Sequence, residues 1–170
     1  MPTAIRRALP ADIPAAARIT VDAYVGSGFI RPGEPYAAKL ADAAHRAANA
    51  ELWVAVDGDE VVGTVTFVRP GTPYAEVSAP DEGEFRMLAV SPDARGRGVG
   101  EALVRHCLNR AADLELRAIV LSTLPQMRSA HRIYERLGFV RTPDRDWEPE
   151  KGLQLITYRC RLGFTAGGLP

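Results

Sequence analysis

Residues 88–100 read Leu88-Ala89-Val90-Ser91-Pro92-Asp93-Ala94-Arg95-Gly96-Arg97-Gly98-Val99-Gly100. A short apolar run ends at Ser91-Pro92, and glycines follow at every second position from Gly96. Apolar residues then recur at Val99, Leu103, Cys107 and Ala111, a helical spacing. Strand, glycine loop and helix in that order make an anion site. Glycines let backbone N–H groups converge on an anion with no Cβ in the way, and the helix N-terminus adds partial positive charge. Arg95 and Arg97 add full charges at the rim. A flexible surface turn is the plain alternative. A Walker A loop would need Gly-Lys-Ser/Thr, which is absent. A dinucleotide fingerprint would need GxGxxG after an early strand. This loop is GxGxG, lies mid-chain, and is flanked by strands that read as mostly antiparallel.

Downstream, Ala130-His131-Arg132-Ile133-Tyr134-Glu135-Arg136-Leu137-Gly138-Phe139 sets Ala130, Ile133, Tyr134 and Leu137 on one helix face, with Gly138 as the stop. These two segments, in this order and separated by one strand, resemble the GNAT N-acetyltransferase superfamily. Arg95-x-x-Gly98-x-Gly100 matches its Arg/Gln-x-x-Gly-x-Gly/Ala signature, with Leu88-x-Val90-x-Pro92 upstream. Residues 130–139 are similar to its Ala-x-x-x-Tyr-x-x-x-Gly-Phe helix. The pattern of elements from Thr3 to Arg161 fits as well, so the resemblance covers nearly the whole chain. There is one departure: the family often has Asn three residues before the helix alanine, and Met127 stands there, leaving Ser129 as the nearby polar group.

The resemblance implies an α/β (α+β) GNAT fold. Its single mixed, mostly antiparallel sheet has about seven strands flanked by four helices, with a splayed V between the strands at 84–90 and 118–121. It implies acetyl-CoA as acyl donor, held by Leu88, Ala89 and Val90, by the loop residues Arg95, Gly96, Arg97, Gly98, Val99 and Gly100, and by Ser129. The implied reaction moves the acetyl group to a primary amine by direct attack in a ternary complex. Val90 N–H would polarise the thioester carbonyl, and Tyr134 would give a proton to the departing thiolate. A catalytically inactive coenzyme A binding or sensing module of the same fold is the alternative. Tyrosine titrates near 10 and a thiol near 8.5, so full transfer is uphill by about 2 kcal/mol. That is small enough for a hydrogen bond that strengthens as charge builds on sulfur. Without the motif, Tyr134 reads as a core tyrosine.

An amine of pKa near 10.4 is only about one part in a thousand free at neutral pH, so a base is useful. Some histone-acetylating members of the family have a glutamate at the place matching Glu84. Strand alternation sets Glu84 on the same face as Leu88. Glu82 and Asp81 are weaker candidates, and a surface carboxylate at the strand entry is the plain reading of Glu84. Arg86, on the same face, would pair with Glu84 and lower its pKa. The resemblance assigns the acceptor to the loops 26–36 and 142–152, where Phe29, Tyr36 and Trp147 are the candidate substrate contacts, Trp147 by cation–π attraction. His106 and His131 read as surface or structural residues; His45 stays a weak candidate near the substrate loops.

Elsewhere, residues 3–8 read as a first strand, and Asp12 can cap a helix bearing Ile13, Ala16, Ala17, Thr20, Val21 and Tyr24. Residues 36–50 read as one Ala-rich helix. Residues 51–56 and 60–68 read as a hairpin turning at Asp57-Gly58-Asp59, 70–82 as a loop, and 139–141 with 153–161 as a closing antiparallel pair. No linker divides the chain: residues 1–162 read as one domain and 163–170 as a flexible tail.

Lys plus Arg and Asp plus Glu both total 21, so net charge offers nothing to nucleic acid or to a membrane surface. Cys107 and Cys160 form no metal-ligand spacing and read as reduced and buried. A cytoplasmic monomer or homodimer with no metal, acting on a small-molecule or protein amine, is the expectation. Gly98→Glu, which places a side chain and a negative charge in the cradle, is expected to abolish coenzyme A binding; calorimetry with an unchanged affinity would refute the cradle.

Overall fold

In the computed structural model, which describes residues 3–163, the β-branched runs form the centre of one sheet. β1 (Ala4–Arg7), β2 (Glu51–Asp57), β3 (Glu60–Val68) and β4 (Glu82–Val90) follow one another antiparallel. β4 then runs parallel to β5 (Ala118–Thr123), and β8 (Leu153–Arg161) lies antiparallel beyond it. β6 (Val140–Arg141) and β7 (Trp147–Glu150) both pair with β8. The expected tail lies, past Gly163, outside the described residues.

Alternation along β2 explains the two layers. Leu52, Val54 and Val56 face a cluster with α1 (Ile13–Val21), α2 (Pro35–Ala41) and α3 (Ala43–Asn49), while Trp53 and Ala55 face α4 (Val99–Asp113) and α5 (Arg128–Arg136). The helical series Val99, Leu103, Cys107, Ala111 is fully buried on that second face. No helix of the described residues is long and apolar enough to cross a membrane.

Among the described residues there are eight strands in the sheet and five α-helices, against about seven and four expected. The extra strand, Trp147–Glu150, folds back on β8 through Lys151-Gly152, with Gly152 at φ 87°. The extra helix arises because the expected helix 36–50 breaks at Asp42, whose carboxylate accepts the His45 N–H at 3.1 Å and so starts α3. Asp12 does not cap α1 with its side chain. It bonds Arg6 at 2.6 Å and the Leu9 N–H at 2.7 Å, closing the turn before the helix.

β4 carries the feature that positions the site. Thr64 faces Ala89 and Thr66 faces Arg86, so β4 holds one more residue than β3 between these pairs, and Met87 takes φ 56°. Such a bulge bends its strand and shifts the alternation by one. Phe85 and Leu88 therefore share the α4 face, whereas Met87 and Ala89 face α1. The expectation that Glu84 and Leu88 share a face is overturned for this reason.

Before the bulge, Glu82, Glu84 and Arg86 alternate on the α1 side and pin the segment that precedes β4. Glu82 accepts from Ala79 N–H (2.9 Å), Arg145 Nη2 (2.8 Å) and Arg159 Nε (2.6 Å). Glu84 Oε1 accepts the N–H groups of Glu76, Val77 and Ser78 at 3.0, 3.2 and 3.2 Å. Arg86 holds Glu76 at 2.7 Å.

Burial alone would push the Glu82 carboxyl up, but hydrogen bonds from Arg145, Ala79 N–H and Arg159 outweigh it and hold it at about 2, against an ordinary 4.5. A carboxyl depressed by folding contributes stability above its unfolded pKa and loses it as pH falls through the folded value. Glu82→Gln is therefore expected to lower the urea midpoint at pH 7, and its deficit to shrink as pH falls from 4.5 toward about 2.

Candidate active site

β4 and β5 share hydrogen bonds only from Glu82↔Ala118 to Phe85↔Leu121. Past that point β4 follows β3 through its bulge while β5 stays with β8, and a gap opens between them. A cavity of about 740 Å3 lies at this gap, lined by Leu88, Ala89, Val90, the loop before α4 and the start of α5. Its volume is within the range of small-molecule sites. Ser91 N–H donates back to Val62 O at 2.8 Å. Successive strand N–H groups point to opposite sides, so Val90 N–H is turned into the gap.

Of the expected cofactor contacts, Leu88, Ala89, Val90, Arg95, Gly96, Gly98, Val99, Gly100 and Ser129 all line this cavity. Gly98 stands at the head of α4 with φ 79°, and a Cβ there would meet nothing within 4 Å. The space in front of the loop is open, and the backbone conformation favours glycine. Ala102 N–H to Gly98 O closes the first turn, so the N–H groups of Val99, Gly100 and Glu101 have no helical acceptor and can face an anion. Arg97 departs from expectation: it pairs with Asp57 at 2.7 Å and does not line the cavity. Arg128 and Arg136 do line it, beside Met127. The periodicity of α5 hid these two arginines, because its apolar face alone was read. Arg136 is shared with Glu101 at 3.1 Å; Arg95 and Arg128 have no ion pair among the described residues.

Tyr134, like Arg97, does not line the cavity: it is buried among Phe85, Phe139 and Tyr158, with ring centroids 5.8 Å away in each case. Burial, first, and the neighbouring Cys107 and Tyr158 push its hydroxyl well above the usual tyrosine range. Glu84 is not brought to the gap. It is fully buried under residues 76–78, its Oε2 has no hydrogen-bond partner among the described residues, and burial pushes its carboxyl up. Burial likewise raises both thiols, Cys107 and Cys160. His131 Nε2 bonds Leu124 O at 3.0 Å and ties α5 to the end of β5. The His106 ring lies against Trp53, tilted by 57° with centroids 4.1 Å apart, and His45 meets Tyr74 OH at 2.5 Å. None of the three is among the residues lining this cavity.

A second, smaller cavity of about 20 Å3 lies on the α1 side of β4, lined by Tyr24, Tyr36, Glu76, Arg86, Ser122 and Leu155 among others. The three expected acceptor contacts divide. Phe29 lines the large cavity, Tyr36 the small one, and Trp147 lines neither, its Nε1 donating to Ser122 Oγ at 3.0 Å. Tyr24, Glu76 and Arg86 were not expected here. The bulge turned Arg86 and Met87 to one side, and no local pattern in the sequence announces it.

The profile described as "Acetyltransferase (GNAT) family" matches residues 15–139. The mycothiol acetyltransferase of Cellulomonas flavigena is 35% identical over 118 residues, 64% of this chain and 34% of that protein. The amino-acid acetyltransferase of Mycobacterium tuberculosis is 34% identical over 119 residues, 70% of this chain and 60% of that protein. The chain thus spans only part of the length of the curated relatives it matches. Among solved structures, a GNAT-family acetyltransferase from Staphylococcus aureus has a TM-score of 0.75 at 16% identity, covering 94% of this chain and 99% of that one. A Salmonella typhimurium protein solved with its cofactor acetyl-CoA has a TM-score of 0.70 at 20% identity, covering 98% and 97%. At these identities the structures speak for the fold.

Gly63 on β3 seats the loop end of α4. A Cβ there would lie 2.9 Å from Val99 Cγ1, 3.0 Å from Leu103 Cδ1 and 3.3 Å from the Ala89 carbonyl oxygen. Gly63→Ala is expected to cost about 1–3 kcal/mol by overpacking and to weaken coenzyme A binding by displacing the first turn of α4. A urea midpoint and a calorimetric Kd check the two effects.

Proposed function

The chain belongs to the GNAT acetyltransferase family, and from that premise we propose that it transfers an acetyl group from acetyl-CoA to a primary amine, by direct attack in a ternary complex. The observation that carries this reading is the gap between β4 and β5. One wall turns Val90 N–H inward, and the uncapped start of α4 stands at the same cavity with Arg95 and Arg128. The α4 N–H groups and these arginines suit the phosphates of coenzyme A. The free strand edge suits the amide groups of its arm.

Val90 N–H stabilises the negative charge that builds on the thioester oxygen as the amine forms its C–N bond. The C–S bond breaks, and the sulfur takes up, through water, the proton that the attacking nitrogen releases as it becomes an amide. Tyr134 supplies a hydrogen bond to that sulfur rather than a complete proton transfer: with its hydroxyl raised by burial, full transfer is more uphill than the about 2 kcal/mol of a free tyrosine. Neither cysteine supplies a thiolate from its buried site, which favours direct attack over an acyl-enzyme. With Glu84 engaged on residues 76–78, the acceptor ammonium loses its proton to water.

Calorimetry with acetyl-CoA, followed by free-thiol release across a panel of amines, tests binding and turnover separately. Absence of binding by any coenzyme A thioester sinks the proposal, and binding without turnover would leave a coenzyme A sensing module. Tyr134→Phe is expected to lower kcat by about tenfold, the worth of one strengthened hydrogen bond, with acetyl-CoA affinity within about twofold of wild type. An unchanged kcat would reduce Tyr134 to core packing.

A further inference from the structure

Arg86 is the one cation among the residues lining the small cavity, and its side chain is only 12% exposed. A guanidinium offers five N–H donors in a rigid fork. Among the described residues, Nη1 meets Glu76 Oε1 at 2.7 Å and, at a long 3.5 Å, the Tyr74 carbonyl. The Tyr74 ring lies 5.6 Å from the guanidinium carbon. The other N–H groups of Arg86 have no carboxylate or carbonyl partner among the described residues. The Tyr36 hydroxyl is a further hydrogen-bond partner of the guanidinium, and Arg86 borders the small cavity together with Tyr24 and Tyr36.

Glu76 is held there by the chain itself. It lies in a segment rich in proline and glycine between β3 and β4, and Glu84 grips the N–H groups of residues 76–78. So placed, the Glu76 carboxylate helps confine the cavity to about 20 Å3, space for one water. An acceptor reaches this space by taking Glu76's place on Arg86. A carboxylate that does so keeps the guanidinium paired, exchanging like for like. An amine without one leaves a buried cation unpaired, which is strongly unfavourable. Ala89, which lines the gap and faces α1 as Arg86 does, is three residues along β4 from Arg86, no more than about 10 Å by strand rise. That suits a molecule whose carboxylate and amine are a few atoms apart.

We propose that Arg86 receives a carboxylate of the acceptor, so that the substrates are amino acids and related amines bearing a carboxylate, with Glu76 the internal carboxylate they replace. This rests on the acetyltransferase reading above and names the acceptor for it.

The test pairs each of a panel of amino acids with its own carboxamide, rates being compared per free amine. Wild-type protein is assayed by thiol release with acetyl-CoA, and binding of each compound to the coenzyme A complex by calorimetry. The expected result is at least one pair in which the acid has a kcat/KM tenfold or more above the amide, mostly through KM. Arg86→Gln is expected to bring the acid down to the amide while acetyl-CoA affinity stays within twofold. Arg86→Lys, which keeps the charge without the fork, retains part of the preference. Glu76→Gln is expected to lower KM for the acid. A panel in which no acid is favoured in turnover or binding overturns the proposal, as does a preference that survives in Arg86→Gln or a raised KM in Glu76→Gln. The wild-type comparison needs no variant to fold. Failure to acetylate any amine would count against the acetyltransferase reading, and the calorimetric pairs would still decide Arg86.

Discussion

One extra residue in β4, at Met87, keeps the β4 backbone paired with β3 while β5 stays paired with β8, and the two strands separate past Phe85 and Leu121. Main-chain groups inside a sheet are normally consumed by their neighbours. Here Val90 N–H is left facing open space because the strand that would accept from it has turned away. The same bend divides the apolar side chains along the strand: Leu88 packs toward α4, Met87 and Ala89 toward α1, with Leu88 and Ala89 still lining the opening. A polar backbone edge between two packed layers is costly in a finished core, and a ligand that supplies acceptors and donors relieves it.

The helices are placed to use that opening. α4 starts at Gly98, whose positive φ turns the chain from the loop into the helix, and Gly63 lets the first turn sit down on β3. Its unbonded N–H groups therefore stand at the mouth of the cavity beside Arg95 and Arg128. On the other face, the row Glu82, Glu84, Arg86 binds residues 76–79 as a roof, and each of the three takes different atoms of it. Three charged side chains along a strand would be poorly accommodated without partners. With them, the row converts a proline-rich segment into a fixed wall of the smaller cavity.

Much of this was legible in the chain. The glycine loop with its helix, the tyrosine helix, the hairpin at Gly58 and the core face of α4 are local features, each set by spacing or by a glycine turn, and all appear where expected. The break at Asp42 and the strand at Trp147–Glu150 were not foreseen, since a capping side chain and a short hairpin weigh little against an Ala-rich run or a charged loop. The bulge had the larger consequence. It changed the face of every residue after Arg86, so Glu84 proved to hold backbone N–H groups where a base beside Leu88 was expected.

Sequence by itself determined the family and the places of the glycine loop, the tyrosine helix and the hairpin at Gly58, because these depend on residues close in the chain: glycine conformations and periodic faces. Tertiary structure alone decided which charges meet. Arg97 went to Asp57, Arg86 to Glu76 and Glu82 to Arg145 and Arg159, pairings between residues 10 to 77 apart in the chain that only the assembled sheet brings within hydrogen-bonding distance. The loop at Arg95–Gly100 is marked by its own letters, and it lines the large cavity. What stands opposite it, and what it serves, follows from how β4 bends.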